Sequence, residues 1–188
     1  MVWGMMLATF TAVHVVLSLI GIASGFVVMF GFLTGTRLRV GTVVFLISTI
    51  LTSVTGFGFP VARVLPSHVV GAISLVVLAV AIVALYALHI RAAWRGIYVV
   101  SVALALYLNV FVGVVQAFQK VPALHALAPQ QTEPSFVIAQ LLVLALFVLL
   151  TVVAVRRVRG ETLAAREAFP DRPVSPGGRA ASRRADPD

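Results

Sequence analysis

Apolar residues fall into five long runs divided by short polar breaks, at about 5–33, 40–59, 69–90, 97–118 and 136–155. A run of roughly 20 such residues, rising about 1.5 Å per residue, crosses a hydrocarbon core of about 30 Å. The breaks carry turn chemistry. Thr34-Gly35-Thr36-Arg37 closes the first run and Gly58-Phe59-Pro60 the second, while Arg91 to Gly96 joins the third to the fourth. Residues 121–135, with Pro122, Pro129 and Pro134, form the one longer loop. Thr132, Glu133 and Pro134 then read as a helix start: Thr132 can cap, Glu133 meets the positive helix end, and Pro134 loses no needed hydrogen bond. The pattern predicts an all-α polytopic membrane protein, with five transmembrane helices over 1–159 and a polar, largely disordered tail over 160–188. The fifth helix is expected to continue through Leu163 toward Phe169, and disorder from Pro170 onward.

Polar positions inside the runs have their own order. At about 100° per residue, Tyr98, Ser101, Ala105, Asn109, Gln116, Gln119 and Lys120 share about a third of the fourth helix's circumference. An unpaired amide facing lipid costs several kcal/mol, so this stripe is expected to face other helices or a wet cavity. Asn109 and Gln116 serve either as interhelical hydrogen bonds or as part of a substrate or water path. On the first run Thr11, His14, Ser18, Gly21 and Gly25 share a face, and Gly21-Ile-Ala-Ser-Gly25 is a small-xxx-small pattern that admits close helix approach. The second run places Thr42, Thr49, Ser53, Gly56 and Pro60 on one side, with Thr52 and Thr55 nearby. Such hydroxyls can also bond back to their own helix.

Composition agrees with the pattern. Hydrophobic residues make up 61% and charged residues 11% of the 188, against roughly 45–50% and about 25% in soluble domains. Five spans leave no room for an extramembrane domain. Without cysteine there is no disulfide, thiolate catalysis or Cys-ligated metal. The first acidic residue is Glu133. No Asp/Glu pair can therefore do acid–base work, relay protons or hold a hard cation within the first four runs.

The net charge of +8 does not indicate nucleic acid, because the bases sit at the ends of apolar runs with no basic face interleaved with aromatics. They read as topology signals. Arg37, Arg39, Arg91, Arg95, Arg156, Arg157 and Arg159 fall on one side, and Arg63 and Lys120 on the other. That bias puts the N-terminus outside and the C-terminus in the cytoplasm. No positive segment precedes the first run, so it reads as a retained span and not as a cleaved signal. Lys120 is the sole lysine, and the Arg, Ala and Val content suggests a GC-rich bacterial genome, which is a matter of codons and not of physics.

Four histidines remain, His14, His68, His89 and His125. Paired histidines on different helices are the usual holders of b-type haem. With this topology His14, His68 and His125 lie outward and His89 at the inner edge. His14 stands about five residues outward of mid-span and His68 about eleven, a height difference of roughly 9 Å, which suits two axial ligands of one iron poorly. A metal site using His14, His68 or His125 is the weaker alternative, and hydrogen-bonded or interfacial histidines are the bland one. No nucleophile–base pair, phosphate loop, dinucleotide fingerprint or metalloprotease motif is present.

Several stretches are distinctive together: the segment from His14 to Gly25, Leu51-Thr-Ser-Val-Thr-Gly-Phe-Gly-Phe-Pro, and Leu65-Pro-Ser-His-Val-Val-Gly-Ala-Ile-Ser-Leu. Further along come Ala93-Trp-Arg-Gly-Ile-Tyr, Ala105-Leu-Tyr-Leu-Asn-Val-Phe-Val, Val115-Gln-Ala-Phe-Gln-Lys-Val-Pro-Ala-Leu and Leu127-Ala-Pro-Gln-Gln-Thr-Glu-Pro. With these the chain resembles an uncharacterised group of small multi-pass bacterial inner-membrane proteins, over nearly everything up to Arg157. The resemblance implies an inner-membrane location and supplies no activity, substrate or cofactor.

The expected function is that of a non-enzymatic binding, assembly or small-molecule permeation component of the bacterial inner (plasma) membrane. The alternative is a redox protein that binds haem b or quinone near its outer face. The expected partners are the lipid bilayer, and a membrane protein or a second copy of the chain. Any ligand site is expected in the outer half, bounded by His14, His68, Asn109, Gln116, Gln119 and Lys120 and roofed by residues 121–135. No metal and no resident cofactor is expected there. Lys120 and the glutamines can equally snorkel to the interface.

Overall fold

The computed structural model describes residues 6–36, 38–59, 66–87 and 92–168 of the chain. Every element among them is helical: α1 (Leu7–Thr34), α2 (Arg39–Gly56), α3 (Pro66–Ile82), α4 (Ala92–Lys120), α5 (Pro122–Leu127) and α6 (Pro134–Ala168). A π-helical turn, Val83–Ala87, extends α3. Five of these helices are long and apolar enough to cross a membrane: Leu7–Thr34, Arg39–Gly56, Ser67–Ala87, Trp94–Lys120 and Pro134–Glu161.

Helix ends follow local chemistry. Gly35 adopts φ 78°, the left-handed conformation that closes α1, and its N–H donates to the Gly31 carbonyl. Thr36 N–H reaches the same carbonyl at 2.9 Å, so the exposed end of α1 is satisfied as a left-handed cap requires. Pro122 occupies the first turn of α5, where a missing N–H costs nothing. At the start of α6 the Glu133 carbonyl accepts from Phe136 and Val137 at 3.1 and 3.2 Å. Glu133, not Thr132, therefore holds the cap position. The Glu133 carboxylate turns back onto the loop, accepting from the backbone N–H of Gln130 at 3.0 Å and Thr132 at 2.9 Å. The helix extends the fifth apolar run to Ala168; the segment from Pro170 onward lies outside the described residues, as do Arg37, Pro60, Arg63, His89 and Arg91.

α4 is the central helix, touching α1, α3, α5 and α6, while α2 packs between α1 and α3. The core is built from Val28, Met29, Phe45, Leu46, Leu78, Val99, Val102, Leu106 and Phe147, with Ala81, Ala84, Ala103, Ala105 and Ala154 where helices come close. The outward surface is also apolar. Leu141, Leu142, Leu146 and Leu149 of α6 are all exposed, Leu142 at 66%. Water-soluble monomers rarely expose apolar patches on this scale.

One end of the bundle carries the end of α1, the start of α2, the π turn, the start of α4 and the Arg156–Arg159 stretch of α6; we call it the arginine end. The other end carries the Gly56–Phe59 turn and the 121–133 loop; we call it the loop end.

Candidate functional site

The interior holds an uncharged polar seam. Ser48, Thr49, Thr52, Ser53 and Thr55 of α2 are all buried, as are Ser74 of α3 and Ser101 and Asn109 of α4. α2 can turn hydroxyls inward partly because Ser48 and Thr55 bond back to its own carbonyls. Ser48 donates to Val44 O at 2.6 Å and Thr55 to Leu51 O at 2.7 Å, the bonding that lets Ser and Thr sit inside an apolar helix bundle. Asn109 Nδ2 donates to Thr49 Oγ1 at 3.1 Å, tying α4 to α2. The Thr52 hydroxyl is buried and has no hydrogen-bond partner among the described residues.

α1 closes the seam with its glycines. A Cβ on Gly21 would stand 3.2 Å from Thr49 Oγ1 and 3.3 Å from Asn109 Nδ2. A Cβ on Gly25 would meet Leu106 Cδ1 at 2.5 Å and the Phe45 ring at 2.9 Å. The space at the small-xxx-small motif is thus occupied by neighbouring side chains rather than by a second backbone.

At the loop end, half-buried His14 places Nδ1 2.8 Å from Thr55 Oγ1. Its ring meets Phe59 edge-on at 5.2 Å. His68 stands on the other side of the same turn, against Phe57, with centroids 5.6 Å apart. His125 is exposed on α5. His14, His68 and His125 are on three elements with different neighbours, and among the described residues no group of three or more His, Cys, Asp or Glu could hold a metal ion.

Of the polar stripe on α4, Tyr98, Ser101, Ala105 and Asn109 are buried as expected, but Gln116, Gln119 and Lys120 are exposed. The reason is the length of α2. Gln116 is seven residues beyond Asn109, and Gly56, the last residue of α2, is seven beyond Thr49, the partner of Asn109. Both paths rise about 10 Å, so Gln116 stands where α2 stops and is exposed. Gln119 instead donates to Gln131 Oε1 at 3.3 Å, and Gln131 Nε2 donates to Val115 O at 2.9 Å. Gln131 makes this second bond from a left-handed backbone, φ 60°, and so clamps the loop onto α4.

Two contributors were not singled out from sequence. Gln131 has no local signal beyond its place in a polar loop. Gln140, on α6, donates to Phe111 O at 3.2 Å while its Oε1 is buried without a partner; a lone amide within an apolar run was the available clue. A cavity at the arginine end, formed where several helices end, was not foreseen either.

The seam can hydrogen-bond a small molecule, and among the described residues no carboxylate lines it. No protein-family model, curated protein or solved structure matches the chain.

Proposed function

We propose that this is a multi-pass protein of the bacterial inner (plasma) membrane that acts by binding or passing a small, neutral, polar molecule along its interior seam. The N-terminus lies outside and the arginine end in the cytoplasm, as the bias of short basic loops requires. The observation that carries the reading is the Thr52 hydroxyl, buried within the hydroxyl cluster of α2 without a partner among the described residues. A buried polar group left unpaired costs about 1–3 kcal/mol, and such groups in native proteins are usually met by water or another bound molecule. The neighbouring Ser48, Thr49, Ser53 and Asn109 supply further donors and acceptors within the same seam.

The chain lacks cysteine, so single cysteines can report wetness at chosen positions. Thr52→Cys and Ser53→Cys, in membranes, should react with a small water-soluble methanethiosulfonate at least about tenfold faster than Ile47→Cys, since only a hydrated thiol ionises readily. Ile47 is on the exposed apolar flank of the same helix, at 53% exposure. Equal inertness of all three positions would show the seam to be dry and its role purely structural.

A further inference from the structure

A cavity of about 420 Å³ opens at the arginine end, among the ends of α1, α2, α4 and α6 and the π-helical turn after α3. That volume lies within the usual span of small-ligand sites, about 300–1,000 Å³. Its inner wall is apolar, with Val28 and Val99 both 2% exposed. Tyr98 and Thr42 also line it. Three charged side chains belong to the lining, Arg39, Arg95 and Glu161. Glu161 Oε2 is 3.7 Å from Arg95 Nη2, while its Oε1 is 3.7 Å from Arg157 Nε. One carboxylate is therefore shared by two guanidiniums, and Arg39 takes part in neither pair, so the site has a positive balance. The cavity is also continuous with the apolar outside of the bundle: Val43 and Tyr86 line it and are 42% and 59% exposed. The π turn that supplies Leu85 and Tyr86 widens the end of α3 there, and such turns are frequent at functional sites.

We propose that this cavity binds one anionic phospholipid from the surrounding leaflet, its phosphate held by Arg39 and Arg95 and the start of an acyl chain against Val28 and Val99. A cationic mouth beside an apolar wall suits an amphiphilic anion, and the exposed flank at Val43 and Tyr86 provides sideways entry from a bilayer. The proposal rests on the membrane placement above but not on the wet seam.

The test is native mass spectrometry of the full chain released from bilayers of equal parts phosphatidylglycerol and phosphatidylcholine. The unmodified protein should retain one phosphatidylglycerol in preference to phosphatidylcholine. Arg39→Gln should cut that preference on the order of fivefold, the contribution of one base near an anionic headgroup. Val43→Trp, which fills the cavity from its exposed side, should lower retention without touching a charge. Arg156→Gln and Arg159→Gln, exposed at the same end but outside the cavity lining, should leave the preference unchanged. Retention without headgroup preference, or equal loss for all three arginine variants, would overturn the site. A protein that stays in the aqueous fraction and retains neither lipid would overturn the membrane placement instead.

Discussion

Gly25→Ala is the substitution whose effect the packing determines most closely. Gly25 is buried in α1 where α2 and α4 converge, and the added methyl would be placed 2.5 Å from Leu106 Cδ1 and 2.9 Å from the Phe45 ring. Neither neighbour has room to retreat, since Leu106 and Phe45 are both 0% exposed. Overpacking of this kind costs about 1–3 kcal/mol. Replacing a helical glycine by alanine returns about 0.5–1 kcal/mol of backbone entropy, so the expected net loss falls within about 0–2.5 kcal/mol. Gly96 provides the internal control: a Cβ there meets nothing within 4 Å, so Gly96→Ala should keep only the favourable part. Equilibrium unfolding by sodium dodecyl sulfate in mixed micelles, followed by far-UV circular dichroism, measures both variants against the unmodified chain. Leu106→Ala removes the atom the new methyl would strike. The double variant should therefore show coupling within the usual range of about 0.5–3 kcal/mol for residues in contact. Gly25→Ala matching Gly96→Ala, with no coupling to position 106, would refute the wedge of α1 between α2 and α4.

Further outcomes follow from the same contacts. Asn109→Leu should lower bundle stability by about 0.6–2 kcal/mol, the measured range for interhelical hydrogen bonds in membranes, while Gln116→Leu in the same unfolding assay should be near neutral because Gln116 is exposed. At Glu133, hydrogen bonds from the Gln130 backbone first, and from its neighbours, hold the carboxyl below the ordinary carboxylate range. A depressed folded pKa means the loop's extra stability is present above the unfolded value and is lost as pH falls through the folded one. Amide exchange at Gln130 and Thr132 should accordingly lose protection at acid pH, and Glu133→Gln should show that loss already at neutral pH. Glu161→Gln unties both Arg95 and Arg157, yet should change unfolding by under about 1 kcal/mol, because partly exposed ion pairs contribute little.

How much of this was legible in the sequence depends on the range of the signal. The five long helices are readable because apolar runs of 18 or more residues are long enough to span a bilayer, and the inward faces of α1 and α2 because their small and polar residues recur on one side. Asn109 was placed correctly by the same angular argument. Gln116 was not, because the angle around α4 says nothing about where α2 ends. Three prolines make residues 121–135 read as loop, yet Pro122 followed by Ala-Leu-His-Ala-Leu is also a proline at a first helical turn with good helix formers behind it, and the segment forms α5. Val-Ala-Leu-Tyr-Ala at 83–87 carries no local mark of a π turn. The cavity at the arginine end was invisible for a similar reason: its residues come from four helices and the π turn, and each is unremarkable within its own run.

The central claim is that the arginine end and the loop end lie on opposite faces of a membrane crossed five times. Reporter fusions test it most directly, with alkaline phosphatase and green fluorescent protein each joined in turn after Gln130 and after Gly160. Phosphatase activity is expected only at Gln130 and fluorescence only at Gly160. The same reporter active at both positions would contradict the fifth crossing, and the reverse pattern would invert the orientation.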